Sequence, residues 1–144
     1  MPKISSAIGR DAVRCLTVTP TCIAVLDDEA PVRVALGRLL RLAGYEVVAY
    51  PSGEAFLAAL ANRVPDCALL DVHMPGLSGL EVLRRLIGDG VKLPVVFITA
   101  SEDPAIARSA LDAGGLQVLH KPISRQELLA AIAFALQDGA PRSS

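Results

Sequence analysis

Five short apolar runs recur along the chain, and each breaks into turn residues before a segment with helical spacing. Cys22-Ile23-Ala24-Val25-Leu26 stops at Asp27-Asp28-Glu29, after which Pro31 opens a helix carrying Val32, Ala35, Leu36, Leu39 and Leu40, closed by Gly44. Glu46-Val47-Val48-Ala49-Tyr50 gives way to Ser52, an N-cap, and to a helix with Phe56, Leu57 and Leu60 on one face. The run Ala68-Leu69-Leu70 reaches Asp71 and then Pro75-Gly76. Beyond it, Ser78 and Glu81 have capping-box spacing ahead of Leu83, Leu86 and Ile87, and Gly88 and Gly90 end that helix. Leu93 to Thr99 is the fourth strand. Asp103-Pro104 starts a helix with the apolar face Ile106, Ala110 and Leu111, stopped by Gly114-Gly115. Leu116 to Lys121 is the fifth strand, halted by Pro122, and Ser124 with Glu127 repeats the capping box before Leu128, Leu129, Ile132 and Leu136.

Strands alternating with helices predict an α/β domain, its mostly parallel sheet covered on both faces. Right-handed crossovers carry every strand's carboxyl end to one edge, where ligands and chemistry collect in open α/β sheets. That edge gathers Asp27 and Asp28, Asp71, Thr99 and Lys121.

At 144 residues the chain is one domain, and 52% hydrophobic with 20% charged residues argues against disorder. Its apolar runs fall short of the roughly 18–20 residues of a membrane span. Arg10, Asp11 and Arg14 interrupt any signal-like core in residues 1–20, which read as an N-terminal extension to a domain over 21–137. The end from Gln137 reads as a frayed end or the first residues of a linker, with 138–144 as a C-terminal tail. A net charge of −1 offers no global attraction to nucleic acid or an anionic membrane. Cys15, Cys22 and Cys67 are odd in number and lack metal-ligand spacing, as expected of free thiols in a reducing cytoplasm.

Three carboxylates at neighbouring strand ends repel one another unless a cation sits among them. Mg²⁺ suits such hard oxygen ligands, and Asp27, Asp28, Asp71 and the main-chain carbonyl of His73 would supply them. A phosphoryl group in transfer needs a cation on one side and donors on the others; Lys121 offers an ammonium and Thr99 a hydroxyl. Asp71 would then act as nucleophile and form an acyl phosphate. Each residue has a duller reading. Asp27 and Asp28 would cap the first helix for about 0.5–2 kcal/mol, Lys121 would be a solvated loop cation, Thr99 an ordinary strand end and Asp71 a turn former. Their joint placement at four strand ends favours the chemical reading. His73 and His120 lack a third soft ligand for zinc, and neither a GxSxG elbow nor a P-loop is present.

Four segments, Val25 to Glu29, Leu70 to Gly79, Phe97 to Ala100 and Lys121-Pro122, carry a resemblance in their order and spacing. From about Thr21 to Leu136 the chain resembles the receiver domain of two-component response regulators, of the branch often joined to DNA-binding output domains. The resemblance implies a flavodoxin-like (βα)5 doubly wound fold, a parallel five-stranded sheet in order 2-1-3-4-5, and a cis bond before Pro122. It implies Asp71 as phosphoacceptor, a sensor histidine kinase or phosphotransfer protein as donor, Mg²⁺ on Asp27, Asp28, Asp71 and the His73 carbonyl, and Thr99 and Lys121 as phosphate-sensing groups. Such a protein phosphorylates itself and is a switch, not an enzyme with turnover. Its further partners would be an effector protein or a missing output domain and, on phosphorylation, a second copy; no membrane and no direct nucleic acid contact is implied. The responding face would be the helix from Pro104 to Ala113, the strand Leu116 to Lys121 and the last helix, with Leu116 and Arg108 exposed. The family usually has Tyr or Phe three residues before the lysine, where this chain has Val118.

Competing readings are a non-phosphorylated pseudo-receiver that serves as an interaction module, a flavin or nucleotide binder, and an aspartyl-phosphate hydrolase. The first is disfavoured because Asp27, Asp28, Asp71, Thr99 and Lys121 are all present. The second needs phosphate-cradling residues where Asp27-Asp28-Glu29 stands, and the third an acid where His73 stands.

Overall fold

The apolar runs form a five-stranded parallel sheet in the order β2-β1-β3-β4-β5, the order the resemblance implies. In the computed structural model, which describes residues 20–139, the elements are β1 (Cys22–Leu26), α1 (Ala30–Leu42), β2 (Glu46–Tyr50), α2 (Gly53–Ala59), β3 (Cys67–Asp71) and α3 (Gly79–Gly88). They continue with β4 (Val95–Thr99), α4 (Pro104–Asp112), β5 (Gln117–His120) and α5 (Arg125–Phe134), which runs into a π-helical turn, Ala135–Gly139. The extension over 1–19 and the tail from 140 lie outside the described residues, as does Cys15.

β1, β3 and β4 are buried along their whole length because helices cover both faces. Alternate side chains point to opposite faces. Ile23, Val25, Leu69 and Ile98 pack with Leu36 and Leu40 of α1 and Leu128 and Ile132 of α5. Ala24, Leu26, Leu70 and Phe97 pack on the other face with Phe56, Val82, Leu86 and Ala110 from α2, α3 and α4. Burying one such aliphatic or aromatic side chain is worth about 1.5–3 kcal/mol, so these two layers hold the sheet's strand ends in register. The free thiols follow the same logic. Burial pushes Cys67 up to about 12 and raises Cys22 as well, so both stay protonated and inert.

Four helix starts match the sequence expectation. Ser52 Oγ accepts from the Ala55 amide, Asp103 Oδ1 accepts from Ala105 ahead of α4, and Ser78 and Ser124 each complete a capping box with Glu81 and Glu127. α1 differs: its N-cap is Glu29, whose side chain makes no capping bond, and Asp27 Oδ1 instead accepts from the Glu29 amide in a local turn. Asp27 and Asp28 therefore do not cap the first helix.

Further departures are local. Ile87 and Leu111, expected on buried faces, are 57% and 48% exposed; Val82, Leu83 and Leu86 of α3 and Ala110 of α4 are the buried positions there. Leu116 is half-buried and packs on the α1–α5 side, so of the two residues expected at the surface only Arg108 is exposed. The helical backbone continues past Gln137 to Gly139 where fraying was expected. Among the described residues no helix is long and apolar enough to cross a membrane.

Candidate functional site

β1 and β3 are neighbours with Leu26 opposite Leu70, so the next residue on each strand, Asp27 and Asp71, comes side by side at the carboxyl edge. Asp71 pairs with Ile98 on its other side, and Thr99 follows, opposite His120. Asp27, Asp71 and Thr99 are buried, at 0%, 5% and 0% exposure, whereas Asp28 faces solvent. Asp27, Asp28 and Asp71 each present a carboxylate oxygen, and these oxygens lie within 4.8 Å of one another.

Lys121 enters from the far side of β4. Its amide donates to the Thr99 carbonyl at 2.9 Å, tying it to the end of that strand, and the Lys121–Pro122 peptide is cis, as the resemblance implied. From there Nζ reaches 2.9 Å from Asp27 Oδ2, 3.2 Å from Asp71 Oδ2 and 3.3 Å from Glu29 Oε1. Thr99 Oγ1 accepts from the Ser101 amide at 3.0 Å, which leaves its own proton to donate.

The loop after Asp71 is held from three sides. The His73 amide donates to Asp71 Oδ1 at 3.2 Å while its imidazole is exposed, as is that of His120. Gly76 sits at φ +79, a conformation that favours glycine, and the Leu77 amide donates to Glu54 Oε2 at 3.3 Å. A Cβ at Gly79 would collide with the Asp71 carbonyl oxygen, so α3 begins directly against the backbone of the acidic residue.

Burial, and secondly the Asp27 carboxylate, raise Asp71 above the usual aspartate range even though Lys121 and the His73 amide oppose the shift. Burial works against the Lys121 charge, but the combined pull of Asp27 and Asp71 outweighs it and holds the ammonium protonated well beyond its ordinary range. Asp27 Oδ2 lies within ion-pair distance of that ammonium yet accepts no hydrogen bond from the described residues. Three carboxylates, two of them buried, face a single ammonium, and the negative charge left over fits a hard divalent cation such as Mg²⁺.

The edge therefore brings together the predicted Asp27, Asp28, Asp71 and Lys121, with Thr99 at the adjoining strand end. Glu29, Glu54 and Gly79 were not singled out from sequence. Glu29 was visible as the third member of an acidic run, and Gly79 as the last residue of the Leu70 segment; nothing local marks Glu54, whose partner lies 23 positions away.

Residues 23–133 match the family profile of the response regulator receiver domain. The chain is 40% identical over 122 residues to response regulator MprA of Mycobacterium sp. (strain KMS), covering 85% of this chain and 53% of that protein. It is 37% identical over 115 residues to response regulator protein TmoT of Ectopseudomonas mendocina, covering 80% and 52%. The chain thus spans about half the length of these curated relatives. The crystal structure of FixJ-N superposes with a TM-score of 0.78 at 31% identity, over 84% of this chain and 97% of that one. By profile, relatives and fold alike, the chain belongs to the response regulator receiver domain family of two-component signalling.

Proposed function

We propose that Asp71 accepts a phosphoryl group from a phosphohistidine of a sensor histidine kinase or phosphotransfer protein, and that this modification is the signal. A carboxylate oxygen of Asp71 attacks phosphorus, the P–N bond breaks with its electron pair returning to the imidazole, and an acyl phosphate remains. Asp27, Asp28, Asp71 and the main-chain carbonyl of His73 are the residues that would hold Mg²⁺, whose charge offsets that of the phosphoryl oxygens when it is bound. Lys121 keeps its ammonium at the nucleophile and follows the new charge onto a phosphoryl oxygen. Thr99 turns its free O–H towards the same group. The protein performs one transfer onto itself, so it is a switch without turnover.

The observation that carries this reading is the Lys121 ammonium, drawn from beyond β5 to within 3.2 Å of Asp71 and 2.9 Å of Asp27. A surface lysine that served only solubility would have no reason to be 15% exposed among carboxylates. Downstream, the reading assigns the response to α4, β5 and α5, where Thr99 and Lys121 are tethered, and passes it to an effector protein, an output domain or a second copy of the chain. Val118 stands opposite Phe97 and packs on the α3–α4 side of the core, so no ring swings there. The test is intact mass after incubation with acetyl phosphate. One phosphoryl mass should appear with Mg²⁺ and be absent with a chelator; a gain indifferent to Mg²⁺ would overturn the reading.

A further inference from the structure

Lys121 has three carboxylate partners, and they are not equivalent. Asp27 and Asp71 belong to the trio whose oxygens lie within 4.8 Å of one another, while Glu29 stands outside it. Their side chains are 0%, 7% and 60% exposed, so Glu29 is the partner on the solvent rim. Lys121 donates hydrogen bonds to Asp71 and Glu29, and its shortest contact, 2.9 Å, is to Asp27 Oδ2. Glu29 is also the N-cap of α1, where a short polar side chain would ordinarily bond the first-turn amides; its side chain leaves that role unfilled and reaches across 92 positions of sequence to Lys121. Asp27 Oδ1 fixes the Glu29 amide at 2.9 Å, which aims the residue.

A divalent cation on Asp27, Asp28 and Asp71 would compete with the Lys121 ammonium for the same two carboxylates, Asp27 and Asp71, and like charges gathered in a buried site repel strongly. Lys121 must then loosen its hold on those carboxylates without losing a charge partner of its own. Resting on the Mg²⁺ site assigned above, we infer that Glu29 is a positioning residue, the carboxylate that retains Lys121 at the rim when a divalent cation takes Asp27 and Asp71. It keeps the ammonium poised beside the nucleophile and free of the cation's ligands.

The test is a double-mutant cycle on Mg²⁺ affinity, measured by calorimetry on the full chain, with folding of each variant checked by circular dichroism. The unaltered chain is read first: if it binds no Mg²⁺, the cation site itself is wrong, independently of Glu29. Glu29→Gln should weaken Mg²⁺ binding roughly twofold to fivefold, the span that one exposed ion pair supports. In a Lys121→Met background the same change should have less than half that effect, because there is no ammonium left to retain. An equal effect in both backgrounds would reduce Glu29 to general negative charge near the site. Tighter binding in Glu29→Gln would overturn the inference outright.

Discussion

Asp71 is held in an environment that disfavours its charge, and this has a measurable consequence in the metal-free protein. Its folded pKa lies above the ordinary 3.8, so between those two values the folded state binds more protons than the unfolded one, and stability falls as pH rises through that window. Above the folded value the deficit is complete. Asp71→Asn removes the charge while keeping the shape, and Lys121 retains Asp27 and Glu29 as partners. In chelator, Asp71→Asn should therefore melt higher than the unaltered chain at pH 7 and lose that advantage towards pH 3; thermal melts at the two pH values check this, and a lower melting point at pH 7 would contradict it. Single residues were legible in the sequence where chemistry interrupts pattern. Asp27, Asp71 and Lys121 stand out because a charge ends an apolar run. Glu29 and Glu54 did not, since their roles are contacts between segments far apart in sequence, Glu29 with Lys121 and Glu54 of α2 with Leu77 in the loop after β3.

Local rules decided the elements, and so the elements were the most readable level. Capping boxes at Ser78 and Ser124 require only residues three apart, and both are formed. Ser124→Ala should cost about 1 kcal/mol in chemical denaturation. Gly79→Ala, one residue into α3, should cost more, about 1–3 kcal/mol, because its methyl meets the Asp71 carbonyl oxygen and must push the helix from β3. It should also slow phosphorylation of Asp71, whereas Ser124→Ala, whose side chain bonds only the Glu127 amide, should not. Comparing the two by urea melts and by the rate of phosphoryl mass gain separates simple destabilisation from displacement of the site. Helix faces were read less well. Spacing marks Ile87 and Leu111 as apolar members of α3 and α4, but how wide a stripe is buried depends on the sheet beneath, and here the buried positions are Val82, Leu83, Leu86 and Ala110. The strands are likewise shorter than the apolar runs, since Leu93, Leu116 and Lys121 lie beyond the last ladder positions.

At the scale of the molecule, alternation of strands and helices implied a parallel sheet and one functional edge, while the order of strands came with the family resemblance. The sheet order puts β3 between β1 and β4, so that one carboxylate touches the acidic loop on one side and the Thr99 strand on the other. Signalling through this frame requires that phosphate bind one conformation better than the other. Hydrogen exchange of the phosphorylated chain should change between Ala100 and Pro122, and Thr99→Ala should lose that change while still being phosphorylated. Unchanged exchange there, with effects confined to the neighbourhood of Asp27 and Asp71, would rule out α4 and β5 as the responding face. All of this depends on the chemistry of one side chain. The most direct test is borohydride reduction after incubation with acetyl phosphate and Mg²⁺, which converts an aspartyl phosphate to homoserine, followed by peptide mass mapping. Homoserine at position 71, absent from Asp71→Asn, is the predicted result; phosphoryl mass on the protein with unmodified aspartate at 71 would contradict it.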